Sequence, residues 1–219
     1  MKLYDFEMAP NPRRVRIFMA EKGIDCDRVQ VDLRAREQLE DDYLKINPLG
    51  TVPCLELDDG TRLVESVAIC RYLEETHPEP NLMGATPVEK AEIEAWQRHC
   101  EFNGFAPVGE AYRNSQPFFD GHALAGTFGQ FERIPELVER CQARVAFFFD
   151  RLDERLGETG YVAGDRFTIA DITAACALDF AMATKVYAEG SADLANLNRW
   201  HGAVSARPSF RANPVKPRD

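Results

Sequence analysis

Three short stretches of this 219-residue chain combine residue types that could hold a small charged ligand. Val52-Pro53 stands at the entrance to the largely apolar run Cys54-Leu55-Glu56-Leu57. A proline there cannot donate a ladder hydrogen bond. It marks either an edge strand or ordinary turn, or a cis-proline that turns the Val52 N–H and C=O outward. In the second case an extended, peptide-like ligand could pair with Val52 as an added strand. Glu65-Ser66 is the second stretch. Ser66 is a natural helix N-cap, and that structural role alone would justify it. A helix N-terminus also gathers carboxylates, and Glu65 beside it offers an anion for an ammonium. Together they suit the two charges of an α-amino acid terminus. The third is the turn Ala9-Pro10-Asn11-Pro12. Its prolines have no N–H to give, so the Asn11 side chain either donates to a ligand or caps the following helix.

Other polar groups have simpler readings. Thr168-Ile169-Ala170-Asp171 has capping-box spacing, with Asp where Glu or Gln is usual. Arg13 and Arg14 open the first helix against its dipole, as solvated surface or as ligand contacts. Trp96 and Phe147-Phe148-Phe149 read as core and interface packing. The cysteines lie 16 residues apart at their closest (Cys54 to Cys70) and 41 at their widest (Cys100 to Cys141), with no CxxC pair. They read as free thiols. The histidines His77, His99, His122 and His201 make no metal-binding spacing, so no metal is expected.

The elements that must position these residues follow from periodicity and breakers. Lys2 to Phe6 reads as a strand and Val15, Phe18 and Met19 as one helix face, closed by Gly23 as a C-cap glycine. Val29, Val31 and Leu33 alternate as a second strand, followed by a charged helical stretch. Cys54–Leu57 and Arg62–Val64 flank the hairpin signal Asp58-Asp59-Gly60. A helix from Glu65-Ser66 to about Glu75 completes the order β-α-β-α-β-β-α. A mixed four-stranded sheet is thus predicted over 1–78, a linker over 79–87 and an all-helical domain over 88–219. Helical periods cover Val88–Phe102, Ile134–Leu156, Ile169–Tyr187 and Leu194–Ala206, while Gly104–Phe131 reads as the least regular part.

Bulk composition narrows the function classes. A formal net charge of −10 opposes a phosphate backbone, so nucleic acid is an unsuitable partner. No stretch approaches the roughly 20 apolar residues of a membrane span. The opening MKLYDF has no basic-then-apolar leader, and a cytoplasmic location is expected.

Taken together, NPLGTVPCLEL, ESVAICRYLEE and FTIADITAACAL resemble the glutathione transferase superfamily over essentially the whole chain. The resemblance implies an N-terminal thioredoxin-like domain, a C-terminal helical bundle and a homodimer. It also implies that Val52 pairs with the cysteinyl backbone of glutathione, that Pro53 is the cis-proline and that Glu65 and Ser66 hold the γ-glutamyl end. Gln38 matches a position reaching the glycyl carboxylate. Where many classes carry a catalytic Tyr, Ser or Cys, this chain has Ala9, and Asn11 follows two residues on. A similar turn in the bacterial Nu class places an Asn near the sulfur, and LVERC resembles a Nu segment whose Arg approaches the ligand, here Arg140. A fungal and bacterial subgroup lacking the usual residue, with an ordered water in its place, matches equally well. The implied activity is conjugation of glutathione, as co-substrate, to a small apolar electrophile. Glutathione-dependent reduction of a disulfide or peroxide is the alternative, and a non-catalytic interaction module the second.

Overall fold

The computed structural model describes residues 1–187 and 193–216. Residues 188–192 and 217–219 of the expected helical domain lie outside the described part. The chain opens with β1 (Lys2–Asp5), α1 (Pro10–Glu21) and β2 (Asp27–Gln30), and continues with α2 (Asp41–Leu44), β3 (Cys54–Glu56), β4 (Arg62–Val64) and α3 (Ser66–Thr76). The strands lie in the order β2-β1-β3-β4. β1 runs parallel to β2 and antiparallel to β3, which pairs antiparallel with β4. This is the mixed sheet of a thioredoxin-like domain, as the sequence predicts.

Local chemistry explains the boundaries. Pro10 and Pro12 fall in the first turn of α1, where backbone N–H groups lack intrahelical partners anyway. The helix closes at Gly23, whose φ of +64° suits glycine, with the Ile24 N–H returning to the Met19 carbonyl. α1 buries Val15, Ile17, Phe18 and Met19, and with them Arg13, Arg14 and Arg16. The second strand is shorter than the alternation suggested: Val29 is largely exposed, whereas Val31 turns inward beyond the end of β2 and donates its N–H to the Asp5 carbonyl.

The remainder is helical: α4 (Pro87–His99), a π-helical turn (Cys100–Phe105), α5 (Ala106–Ser115), α6 (Pro135–Glu158), α7 (Ile169–Ala183), α8 (Ala195–Ser205) and α9 (Pro208–Arg211). α5 corrects the expectation of an irregular Gly104–Phe131. Pro107 sits in its first turn, where proline is harmless, and Gly104 is needed because a Cβ there would come within 2.9 Å of the Phe148 ring. α7 stops at Ala183, short of Tyr187. Phe148 and Phe149 pack inside as expected, but Phe147 is exposed.

α7 is the central helix, buried continuously from Ile169 to Phe180. Its start carries the expected capping box. The Asp171 carboxylate accepts from the Thr168 N–H (2.9 Å), the Val162 N–H (2.9 Å) and the Trp200 indole (2.9 Å). Burial pushes this carboxyl up to about 6, against the opposing pull of those donors. The folded chain therefore keeps the proton between about 3.8 and about 6, where the unfolded chain has lost it. The contribution of Asp171 is largest below that window and falls as pH rises through it. Asp171→Ala should cost about 3–5 kcal/mol in urea unfolding, because three buried donors lose their acceptor. The gap from wild type should widen as pH falls from 7 to 4, and a pH-independent gap under 1 kcal/mol would contradict this.

Candidate functional site

Three segments converge at one end of the strands: the turn from β1 into α1, the loop before β3, and the junction of β4 with α3. β3 and β4 pair with Cys54 opposite Val64, so one step further Pro53 faces Glu65. The Val52–Pro53 peptide is cis. Among the described residues, no hydrogen-bond partner engages the Val52 N–H or C=O, although Val52 is 9% exposed. A peptide-like backbone could pair there.

The loop that presents Val52 is braced from both sides. Buried Asn47 donates to the Thr51 carbonyl (2.7 Å) and accepts from the Leu49 N–H (3.1 Å), and the Tyr43 hydroxyl donates to the same carbonyl (2.6 Å). From the helical domain, the Thr127 N–H donates to the Leu49 carbonyl (3.1 Å). Gly50 has a φ of +62°, and a Cβ there would meet Leu39 and Thr127 at 3.0 Å and the Gln38 carbonyl at 3.2 Å. Gln38 therefore flanks this loop, in the 3-10 turn Glu37–Leu39.

On the other side, Ser66 is not the N-cap of α3 but its first helical residue. Glu65 occupies the cap position, with φ 67° and ψ 116°, a backbone conformation costly for a non-glycine residue. The buried Ser66 hydroxyl faces α1, where its oxygen accepts from the Arg14 guanidinium at 2.7 Å. The same Nη2 donates to Asn11 Oδ1 at 2.8 Å, and the Ser66 hydroxyl donates to that oxygen at 3.4 Å. Asn11 is likewise no cap: Ala9 is the N-cap of α1, without a side-chain bond, and Asn11 sits inside the first turn. With Oδ1 committed to Arg14, the Asn11 amide leaves its NH2 group as the outward end.

Arg13 and Arg14 are not solvated surface. Arg13 pairs with Asp179 of α7 (2.7 Å) and donates to the Asn213 carbonyl (2.7 Å). Burial alone would raise the Asp179 carboxyl, but His201 and Arg13 hold it below its ordinary range. Arg14 pairs with Glu101 in the π-helical turn (2.6 Å) and with Thr173 of α7 (3.2 Å). The structure thus brings Asn11, Arg14 and Ser66 together and places Val52, Pro53 and Glu65 beside them. Arg140 lies on an exposed part of α6, with no contact to this group among the described residues. Sequence reasoning missed the part played by Arg14. Its one local signal is the three-residue spacing from Asn11, which puts both on one helix face.

Burial raises every cysteine thiol: Cys26 and Cys176 upward, Cys54 and Cys141 to about 11, Cys70 to about 12 and Cys100 higher still. None is disulfide-bonded. Among the described residues no group of three or more His, Cys, Asp or Glu is placed to hold a metal ion, and no helix is long and apolar enough to cross a membrane.

Two family models match, the glutathione S-transferase N-terminal domain over residues 9–76 and the C-terminal domain over 115–208. Glutathione S-transferase 2 of Saccharomyces cerevisiae is 32% identical, across 96% of this chain and 88% of the relative. The crystal structure of a glutathione S-transferase domain-containing protein of Marinobacter aquaeolei superposes with a TM-score of 0.87 at 36% identity, covering 96% of this chain and all of that one. A glutathione S-transferase of class Gtt2 from Vibrio parahaemolyticus does so at 0.83 and 36%, covering 98% of each.

The bracing of the Val52 loop is open to test. Asn47→Ala should destabilise the fold by about 2–4 kcal/mol, since it removes a buried amide and strands the Leu49 N–H. Thermal unfolding coincident with wild type would show that the loop is held by its other contacts.

Proposed function

The chain belongs to the glutathione S-transferase superfamily, and on that premise we propose that it binds glutathione along the Val52–Ser66 edge and conjugates it to small apolar electrophiles. Val52 pairs with the cysteinyl backbone, Glu65 and Ser66 take the γ-glutamyl ammonium and carboxylate, and Gln38 reaches the glycyl carboxylate. Arg140 enters only by resemblance. A cytoplasmic homodimer, each chain divided into 1–78 and 88–219 by the 79–87 linker, belongs to the same reading. A single-chain species in sedimentation would contradict that assembly.

The observation that carries the reading is the Arg14 bridge from Asn11 Oδ1 to Ser66 Oγ, which commits the amide oxygen and leaves the NH2 of exposed Asn11 to donate, together with the unpartnered backbone of Val52. A free thiol with a pKa of about 8.5 is only about 3% thiolate at pH 7. Lowering that pKa to about 6.5 takes about 2.7 kcal/mol of preferential stabilisation. One hydrogen bond to a charged group contributes roughly 1.5–3 kcal/mol, so the Asn11 amide with the positive end of α1 suffices. No hydroxyl is required, and Ala9 is no obstacle. The thiol proton leaves to solvent, and the thiolate attacks the electrophilic carbon. The C–S bond forms as the bond from that carbon to its leaving group breaks, and the electron pair departs with the group, chloride in the case of a chloronitrobenzene.

Calorimetry should show Ser66→Ala weakening glutathione binding by roughly 1–3 kcal/mol, the loss expected for a hydrogen bond to a charge. Glu65→Gln should weaken it too, and unchanged affinity in both variants would remove the assignment. Asn11→Ala should raise the bound thiol's pKa by about one to two units, read from thiolate absorbance, because each unit is about 1.36 kcal/mol. Coincident titration curves would eliminate Asn11 as the activating donor. Assay of both proteins with a chloronitrobenzene and with a mixed disulfide separates transferase from reductase: the reading expects the first activity to fall.

A further inference from the structure

Arg14 is buried to 3% of its side-chain surface, yet it stands one residue layer behind the proposed ligand site. Its Nη2 spans two acceptors, Asn11 Oδ1 at 2.8 Å and Ser66 Oγ at 2.7 Å. Its Nη1 is anchored on Glu101 at 2.6 Å and Thr173 at 3.2 Å. Glu101 is held in turn by Arg98 (2.8 Å), and Thr173 donates to the buried Gln97 (2.6 Å). The guanidinium plane also lies 4.7 Å from the centre of the Phe105 ring. Both Nη groups of Arg14 are therefore held in place, while its Nε is buried without an acceptor.

We propose that Arg14 is the positioning residue of the thiolate site: one guanidinium locks the Asn11 amide with its oxygen inward and its NH2 toward the glutathione sulfur, and ties that amide to Ser66. The inference rests on the glutathione reading above and adds to it the group that sets the amide's orientation. A guanidinium can only donate, so the Asn11 atom facing it must be the oxygen. The nitrogen is then the atom presented outward, without any choice left to the amide itself. Ser66 Oγ accepts from the same Nη2 and donates a long hydrogen bond to Asn11 Oδ1 at 3.4 Å, a bond that a carboxylate at the start of α3 would take over. One side chain thus sets the donor direction at both ends of a γ-glutamylcysteinyl unit. A lysine could not do this, because an ammonium on a flexible stem is a point donor and not a planar fork.

The surroundings do not confuse a titration. Glu101 and Arg98 are the charged groups facing Arg14, Arg13 is turned away onto Asp179, and the nearby thiols Cys70, Cys100 and Cys176 are all pushed upward by burial. Thiolate absorbance gained near neutral pH therefore belongs to bound glutathione.

The experiment is a double-mutant cycle on the full chain, reading the pKa of bound glutathione and its dissociation constant. Arg14→Lys should raise the thiol pKa by about one unit and weaken binding about tenfold. In the Asn11→Ala background the same change should leave the pKa unmoved, because the amide through which Arg14 acts is gone. An equal shift in both backgrounds would overturn the proposal while leaving the Asn11 reading intact. Asn11→Ala without any shift would overturn both. Asn11→Asp covers the case in which Arg14→Lys does not fold. It keeps an oxygen for Arg14, strengthens that pair and puts a carboxylate oxygen where the NH2 stood. Its thiol pKa should exceed that of Asn11→Ala, while its unfolding temperature equals or exceeds that of wild type. A pKa for Asn11→Asp at or below wild type would show that the outward atom is not the nitrogen, and would overturn the proposal.

Discussion

A full positive charge with almost no solvent contact persists only where its surroundings replace the lost water, and the Arg14 guanidinium does this through its two Nη groups, around which four elements gather, while its Nε has no acceptor. Asn11 comes from α1, Ser66 from α3, Glu101 from the π-helical turn and Thr173 from α7. Removing one partner of a buried pair leaves an uncompensated charge, a loss of about 3–5 kcal/mol. Arg14 therefore helps to fix the relative placement of the sheet domain and the helical domain. Its neighbours on α1 work alike: Arg13 joins Asp179, and Glu21 joins Arg207 and Ser209. The helix that opens the site is also the helix that fastens the two domains.

That arrangement has a chemical consequence. An amide has no proton to lose in the working range, so Asn11 stays a donor at every pH at which the thiol ionises. A hydroxyl donor is not needed for a shift of this size. The protein's own thiols are kept protonated by burial, which leaves a bound thiol as the reactive sulfur near neutrality. Glu65 beside the site has a positive φ, and the Ser66 hydroxyl that follows it engages Arg14 of α1 and not a cap.

Much of this could be read from the residues alone. Pro53 and Gly60 announce the hairpin side of the sheet, Gly23 ends α1, and Thr168 with Asp171 announces the start of α7, because each depends on chemistry within four residues. Asn11 and Ser66 stand out in the sequence too, each as either a ligand contact or a helix cap, and the backbone gives the cap positions to Ala9 and Glu65 instead. The failures are non-local. Nothing in the spacing of Arg14 shows that Glu101 and Thr173 arrive from 87 and 159 residues away. The helix α5 was hidden because Gly104 and Pro107 read as breakers, when one makes room for Phe148 and the other sits in a first turn.

A crystal structure of the protein with reduced glutathione tests the account most directly. The sulfur is predicted within about 3.5 Å of Asn11 Nδ2, with Oδ1 still on Arg14 and the cysteinyl backbone paired to Val52. A sulfur more than about 5 Å from that nitrogen, or one met by an ordered water alone, would contradict it.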